Sequence, residues 1–190
     1  MSPPNPFPDS GLAQGPAKAF RFCPRCGVAE PRIERGGRVL RCEHCGFLFF
    51  FNSATAAGAF VFHQGQLILC IRAKDPGQGM WDLPGGFIEF GETVEDGLRR
   101  EIQEELNIAT SDYRYLMSAP NDYFYAGVPY KTTDLFYICR AAHVHGLKAA
   151  DDVADYCLIA PADLDPGRLA FASARAAAAA LQDWLRHHAP

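Results

Sequence analysis

No stretch of this sequence approaches the roughly 18 consecutive apolar residues that a membrane-spanning helix needs, so no membrane association through such a helix is expected. The first ten residues, MSPPNPFPDS, hold neither a basic segment nor an apolar run. That pattern does not fit a secretory signal, and a cytoplasmic location is the expectation. A surplus of positive charge is also missing: 18 Lys and Arg stand against 22 Asp and Glu, a formal net charge of -4. Nucleic-acid binding is driven by Lys and Arg contacts to phosphate, so a nucleic-acid partner is not expected. The content of order-forming residues is ordinary, at 48% hydrophobic and 12% aromatic in 190 residues. That suffices for one good core with a small satellite module.

The seven cysteines, without an export signal, point to reduced thiols and metal binding rather than disulfides. Residues 1–19 carry Pro3, Pro4, Pro6, Pro8 and Pro16 with little to bury and read as a flexible tail. Residues 20–50 hold two Cys pairs in too little chain for a hydrophobic core, so this module needs a staple. Residues 51–190 form the main domain. Apolar runs at Ala59–Phe62 and Leu67–Ile71 flank His63-Gln64-Gly65-Gln66, a hairpin pattern. Trp81-Asp82-Leu83 reads as a short strand stopped by Pro84-Gly85-Gly86. Thr93 with Asp96 starts a helix reaching Leu106. Further strands are expected over Tyr113–Ser118, Asp134–Arg140 and Asp155–Ile159, with a last helix over Ser173–His187.

The densest chemistry follows Gly85-Gly86. Glu101, Glu104 and Glu105 fall at i, i+3 and i+4 of the first helix and share a face. Val94, Leu98, Ile102 and Leu106 form another, suited to packing on a sheet. Three neighbouring carboxylates repel one another, and a hard divalent cation relieves that repulsion while keeping waters and phosphate oxygens as its other ligands. A solvated charged face is the alternative for E-x-x-E-E alone. The glycines upstream, at which the backbone can approach a metal or phosphate closely, favour the cation.

Gly86, Glu92, Arg100, Glu101, Ile102, Glu104, Glu105 and Ile108 match G-x5-E-x7-R-E-U-x-E-E-x-G-U, where U is aliphatic. Asn107 takes the place of the second glycine and suits a left-handed helix end. This string resembles the signature box of the Nudix hydrolases, and the resemblance extends over roughly Ala56 to Leu164. It implies an α/β fold, an α/β/α sandwich around a mixed sheet, and hydrolysis of a nucleoside diphosphate linked to another group. It implies Mg2+ (or Mn2+) held by Glu104, Glu105 and the Gly86 carbonyl. Glu101 is then a ligand or the base that deprotonates water, with Arg100 and Glu92 bracing the others.

Cys23-Pro-Arg-Cys26 and Cys42-Glu-His-Cys45 form C-x2-C-x15-C-x2-C, each pair followed by glycine. Four thiolates suit a closed, structural Zn2+ site, and the module resembles a zinc ribbon. Its arginines are offset by Glu30, Glu34, Glu43 and the thiolates, which favours a structural or subunit-contact role. His44 reads as an exposed side chain, and Cys70, Cys139 and Cys157 as buried hydrophobes.

A ribbon ahead of a Nudix domain is similar to the NADH pyrophosphatase branch, but the S-Q-P-W-P-F-P motif of that branch is absent. In its place stands Ser118-Ala-Pro-Asn-Asp-Tyr-Phe-Tyr-Ala-Gly-Val-Pro-Tyr-Lys131. There Tyr123, Tyr125 and Tyr130 are candidates to stack on a base and Lys131 to meet a phosphate; alternating aromatics that pack a hairpin are the other reading. Arg72 is a second phosphate candidate or a surface ion pair. Asp151, Asp152 and Asp155 are a late acidic loop or a further metal carboxylate. The reading is a hydrolase acting on a small nucleotide-like substrate, with a homodimer possible. The alternative is a nucleotide-sensing module whose ribbon contacts nucleic acid or protein.

Overall fold

The computed structural model describes residues 15–188, which form two compact units. One comprises the described residues up to Ala54 together with Asp122–Thr132. The other comprises Thr55–Asn121 and the residues from Thr133 on. Most of the expected tail, residues 1–14, lies outside the described part. Its last residues depart from the expectation: Gly15–Ala19 is a 3-10 turn with Gly15 and Ala17 buried. The expected module boundaries shift as well, because an internal segment joins the cysteine module.

In the first unit β1 (Arg32–Glu34), β2 (Val39–Arg41) and β3 (Leu48–Phe50) form an antiparallel sheet in that order. Its large buried hydrophobics are Val39 and Leu40, beside Cys23 and Cys42. So little apolar burial cannot offset the entropy of ordering the chain. The two Cys knuckles therefore carry the fold.

The second unit is a mixed α/β fold. β4 (Ala54–His63) and β5 (Gln66–Arg72) pair antiparallel across Gln64-Gly65. Both turn residues have positive φ, 47° and 81°, the conformation of a two-residue hairpin turn. β6 (Trp81–Asp82) pairs with β5, and β7 (Gly85–Phe87) with β4. β8 (Ser111–Tyr125), β9 (Val128–Arg140) and β10 (Val153–Ile159) complete the order β10-β5-β4-β9-β8. β8 and β9 outrun the expected strands because Ala126-Gly127, at φ 49° and 79°, closes a two-residue turn and carries the aromatic segment into a hairpin.

Helices α1 (Val94–Leu106) and α2 (Ala172–His187) cover opposite faces. Successive strand residues point to opposite sides. Ala57, Ala59 and Val61 of β4, with Tyr137 and Cys139 of β9, pack in one cluster with Leu98, Ile102 and Leu106 of α1. Asp134 lies on the other side of β9 and accepts a buried hydrogen bond of 2.6 Å from Ser173 of α2. The expected three-layer arrangement is thus present.

Candidate active site

α1 is fixed at both ends by its own sequence. The Thr93 hydroxyl caps it by accepting from the Asp96 N–H, and Asn107 ends it in the left-handed conformation. The Asn107 side chain donates to the Gly146 carbonyl at 3.0 Å. Tyr137 donates to Glu95 at 3.0 Å, tying the helix to β9. α1 is therefore held in register beneath β7.

That register brings two carboxylates onto the paired glycines. The Gly85 N–H donates to Glu105 Oε2 at 2.9 Å. Gly85 itself admits no side chain, since a Cβ would sit 2.1 Å from the Ala57 carbonyl oxygen. A Cβ on Gly86 would lie 2.6 Å from the Glu101 carboxyl carbon. Glu101 is therefore packed over the Gly86 backbone.

Arg100 gathers the remaining acids. Its Nε and Nη2 donate to the two oxygens of Glu92 at 2.7 and 3.1 Å. Its Nη1 reaches Glu101 at 2.9 Å and Glu104 at 3.0 Å, while Nη2 also donates to the Phe87 carbonyl at 3.1 Å. Glu92 in turn accepts from the Glu89 N–H at 3.0 Å. The Arg100 hydrogen bond holds Glu92 below the usual carboxylate range.

Glu105 is buried, at 9% exposure, and is in no ion pair among the described residues. Burial pushes its carboxyl up to about 8, the Gly85 N–H pulls it down, and Asp82, Glu101 and Asp151 add to the rise. Burial likewise raises Glu101, against the pull of Arg100 and with Glu104 and Asp151 adding to it. A buried acid without a cation beside it is costly to ionise. Oxygen ligands, excess negative charge and glycine backbone alongside are the chemistry a hard divalent ion takes, but among the described residues these carboxylates do not close on one point as the four thiols do. Glu104, half exposed on its outer side, completes the face.

Two acids outside the helix belong to this neighbourhood. Asp151 sits in a loop tied to the end of α1, where the Ala150 N–H donates to the Glu105 carbonyl at 2.9 Å. Asp82 carries no motif that marks it in the sequence. It lies next to Arg72, and burial raises its carboxyl although Arg72 pulls the other way. The available signal was an acid placed between two apolar residues of a strand leading to Pro84-Gly85-Gly86. Asp155 begins the regular pairing of β10 with β5, and Asp152 pairs with Lys74.

Arg72 is ion-paired, in a largely buried rather than a surface pair. Nη1 meets Asp82 at 2.6 Å, Nε donates to the Pro76 carbonyl at 2.7 Å, and the guanidinium lies over the Phe171 ring. Tyr123, Tyr125, Tyr130 and Lys131 belong to the cysteine-bearing unit. There Tyr123 and Tyr125 stack at 6.0 Å and Lys131 pairs with Asp122 at 2.5 Å.

Cys23, Cys26, Cys42 and Cys45 bring their sulfurs within 4.8 Å of one another. The two knuckles repeat one geometry. Cys23 N–H donates to Val28 and Gly27 N–H to Cys23, just as Cys42 donates to Phe47 and Gly46 to Cys42, all at 2.8–2.9 Å. Gly27 and Gly46 take φ of 74° and 71°, which glycine adopts without strain. Four sulfurs at one point fit tetrahedral zinc. His44 is exposed, and Cys70 and Cys139 are buried, whereas Cys157 is only half-buried.

A profile of the NUDIX domain matches residues 52–180. The chain belongs to the Nudix family. Among its relatives, the NAD-capped RNA hydrolase NudC of Pseudomonas syringae pv. syringae is 34% identical over 99 residues, which is 52% of this chain and 35% of that protein. The human NAD-capped RNA hydrolase NUDT12 is 33% identical over 110 residues, 53% of this chain and 24% of that one. The matched region thus spans about a third or less of these curated relatives. A NUDIX hydrolase structure from Nitrosomonas europaea superposes with a TM-score of 0.70 at 23% identity, covering 90% of this chain and 94% of the other. It extends the likeness of fold through nearly the whole chain.

Proposed function

We propose that this Nudix protein is a divalent-metal-dependent pyrophosphohydrolase that cleaves the diphosphate linkage of a nucleoside diphosphate derivative of the dinucleotide, ADP-ribose or nucleotide-sugar type. The observation that carries the reading is Glu105, a buried acid seated on the Gly85 N–H with Glu101 and Asp151 nearby and, among the described residues, no cation paired to it. A cation-free role for such a group would leave a destabilising acid in place. The relatives named as hydrolases of NAD-capped RNA favour a dinucleotide diphosphate as the scissile group.

Glu101, Glu104, Glu105 and the Gly86 carbonyl would hold Mg2+ or Mn2+. When bound, the metal lowers the pKa of water and neutralises charge growing on phosphate oxygens. The remaining work falls to the chain. Arg100 fixes the rotamers of Glu101 and Glu104, and Glu92 fixes Arg100, so the acids are placed before substrate arrives. Glu101, lying over Gly86, is the preferred acceptor of the proton of the attacking water. Arg72, committed to Asp82, has no part in this proposal.

The test is release of mononucleotide products from a panel of dinucleotides, ADP-ribose and nucleotide sugars, with and without magnesium. Glu104→Gln should abolish turnover and keep the circular-dichroism spectrum. Wild-type turnover by that variant would overturn the assignment. Saturable binding without turnover by the unmodified chain would favour the nucleotide-sensing alternative.

A further inference from the structure

The turn into the paired glycines is anchored on an ion pair. β6 is only two residues long, and Leu83, Pro84 and Gly85 alone separate Asp82 from Gly86. So short a strand fixes little by its own ladder, in which Cys70 faces Asp82 and Ile71 faces Trp81. Pro84 has no N–H to give. The Asp82 carboxylate adds what the ladder lacks. Its Oδ1 accepts from the Leu83 N–H at 2.9 Å and its Oδ2 from Arg72 Nη1 at 2.6 Å. Arg72 is itself fixed, because Nε donates to the Pro76 carbonyl at 2.7 Å and the guanidinium lies 4.8 Å from the Phe171 ring centroid. Both side chains of the pair are largely buried, at 16% and 18% exposure.

The same turn seats the acids of the candidate site. Pro84 is buried, and its carbonyl accepts from the Ala59 N–H at 3.0 Å, which ties the turn to β4. One residue on, the Gly85 N–H meets Glu105, and the Gly86 backbone lies beneath Glu101. Cross-strand partners share a face of a sheet. Asp82 therefore stands on the side of Cys70, which packs in the cluster of Leu98, Ile102 and Leu106 from α1. Glu105 comes from that helix, and the Asp82 charge adds to the rise in its pKa. The two acids are thus near each other, joined by a stretch of three residues and one hydrogen bond.

We propose that Asp82 is a positioning residue: anchored by Arg72, it fixes the turn over residues 83–86, and with it the N–H that holds Glu105 and the carbonyl that Gly86 would offer a metal. A buried ion pair adds little net stability over apolar side chains of similar volume. Its contribution here is direction, since charge-assisted hydrogen bonds fix the geometry of their partners. Without the pair the turn can shift, and a misplacement near 1 Å is enough to lower a rate about a hundredfold. The inference rests on the hydrolysis reading and adds to it a residue that acts through Gly85 and Gly86. A purely structural pair would lower stability and activity together, whereas a positioning pair lets them be separated.

The test compares the full zinc-loaded wild type with Asp82→Asn and with the double variant Arg72→Met, Asp82→Leu. Asp82→Asn leaves the Arg72 charge uncompensated and should lower the melting temperature together with kcat. The double variant removes both charges at similar volume, so its melting temperature should return to within about 4 °C of wild type. Its kcat should stay at least about tenfold down with KM little changed, the sign of a loss confined to the transition state. Its magnesium affinity, by titration calorimetry, should fall about tenfold. Arg72→Lys keeps the charge but cannot hold Asp82 and Pro76 in one fork; it should show the same two losses and gives the answer if the double variant does not fold. The proposal is overturned if kcat recovers with the melting temperature, if the loss lies in KM alone, or if magnesium affinity is unchanged. Should wild type bind magnesium without turnover, the affinity comparison alone decides. A wild type that neither hydrolyses the diphosphate panel nor binds magnesium overturns this inference together with the hydrolysis reading, whereas an active wild type with indifferent variants overturns this one alone.

Discussion

The Glu101 carboxyl group occupies the space that a side chain on Gly86 would need: a Cβ there would stand 2.6 Å from its carboxyl carbon. The glycine is required for clearance above its Cα, and its φ is not in the left-handed range. Gly86→Ala therefore pushes Glu101 aside without straining the backbone. Turnover should fall about a hundredfold, the usual scale for a misplacement near 1 Å, with the fold retained. Gly85→Ala provides the contrast. Its φ of 142° and the 2.1 Å approach to the Ala57 carbonyl oxygen predict loss of folded protein, read by yield and circular dichroism.

Glu105 supplies a pH prediction. Its folded pKa of about 8 lies above its ordinary value of 4.5. The contribution of this group to stability is therefore fully present below about 4.5 and is lost as pH rises through 8. Magnesium-free protein should melt at progressively lower temperature between those limits. Saturating magnesium should flatten the trend by favouring the charged form, and Glu105→Gln should remove this part of it. Melting temperatures across the range with and without magnesium, using dialysis rather than a chelator that strips zinc, give the answer. A trend identical in wild type and Glu105→Gln would refute the assignment.

Arg100 makes five hydrogen bonds to four groups, and a lysine ammonium cannot reproduce the planar fork. Arg100→Lys should lower kcat at least about tenfold through loosened Glu101 and Glu104, and weaken magnesium affinity measured by titration calorimetry. Glu92→Gln should act in the same direction. The double variant should lose less than the two single effects combined, because one network is broken twice.

Zinc removal tests the cysteine cluster. The purified chain should carry about one zinc, and Cys42→Ser should lose it together with the native signal of the small sheet, because metal binding to ligands that only the folded chain assembles adds to folding free energy. Burial raises the Cys23 thiol, but hydrogen bonds from the Cys26 and Arg25 N–H groups and with the Cys26 and Cys42 side chains draw it down to about 7; the Val28 N–H lowers Cys26, which burial and the Cys45, Cys23 and Cys42 thiols push up to about 12. Metal content by plasma emission and circular dichroism decide the point.

Much of the site was legible in the sequence because it is written in short-range rules. Helical spacing set Glu101, Glu104 and Glu105 on one face, Thr93 and Asn107 marked the ends of α1, and paired Cys-x2-Cys-Gly knuckles marked the four-sulfur cluster. Each depends on residues within a few positions of one another. Asp82 and the fate of Arg72 were not legible, since a strand-end acid and a strand-end arginine look alike whether they meet each other or a ligand.

What the sequence alone determined is the local chemistry: a carboxylate helix behind two glycines, and a thiol cluster standing in for a core. Only the tertiary structure decided that Gly85 donates to Glu105, that Asp151 is drawn to the same corner, and that residues 122–132 belong with the cysteine unit. The reason lies in range. Caps, knuckles and periodicity are settled by neighbours along the chain, whereas these placements depend on which distant strands pair and on how much charge the packed interior then confines.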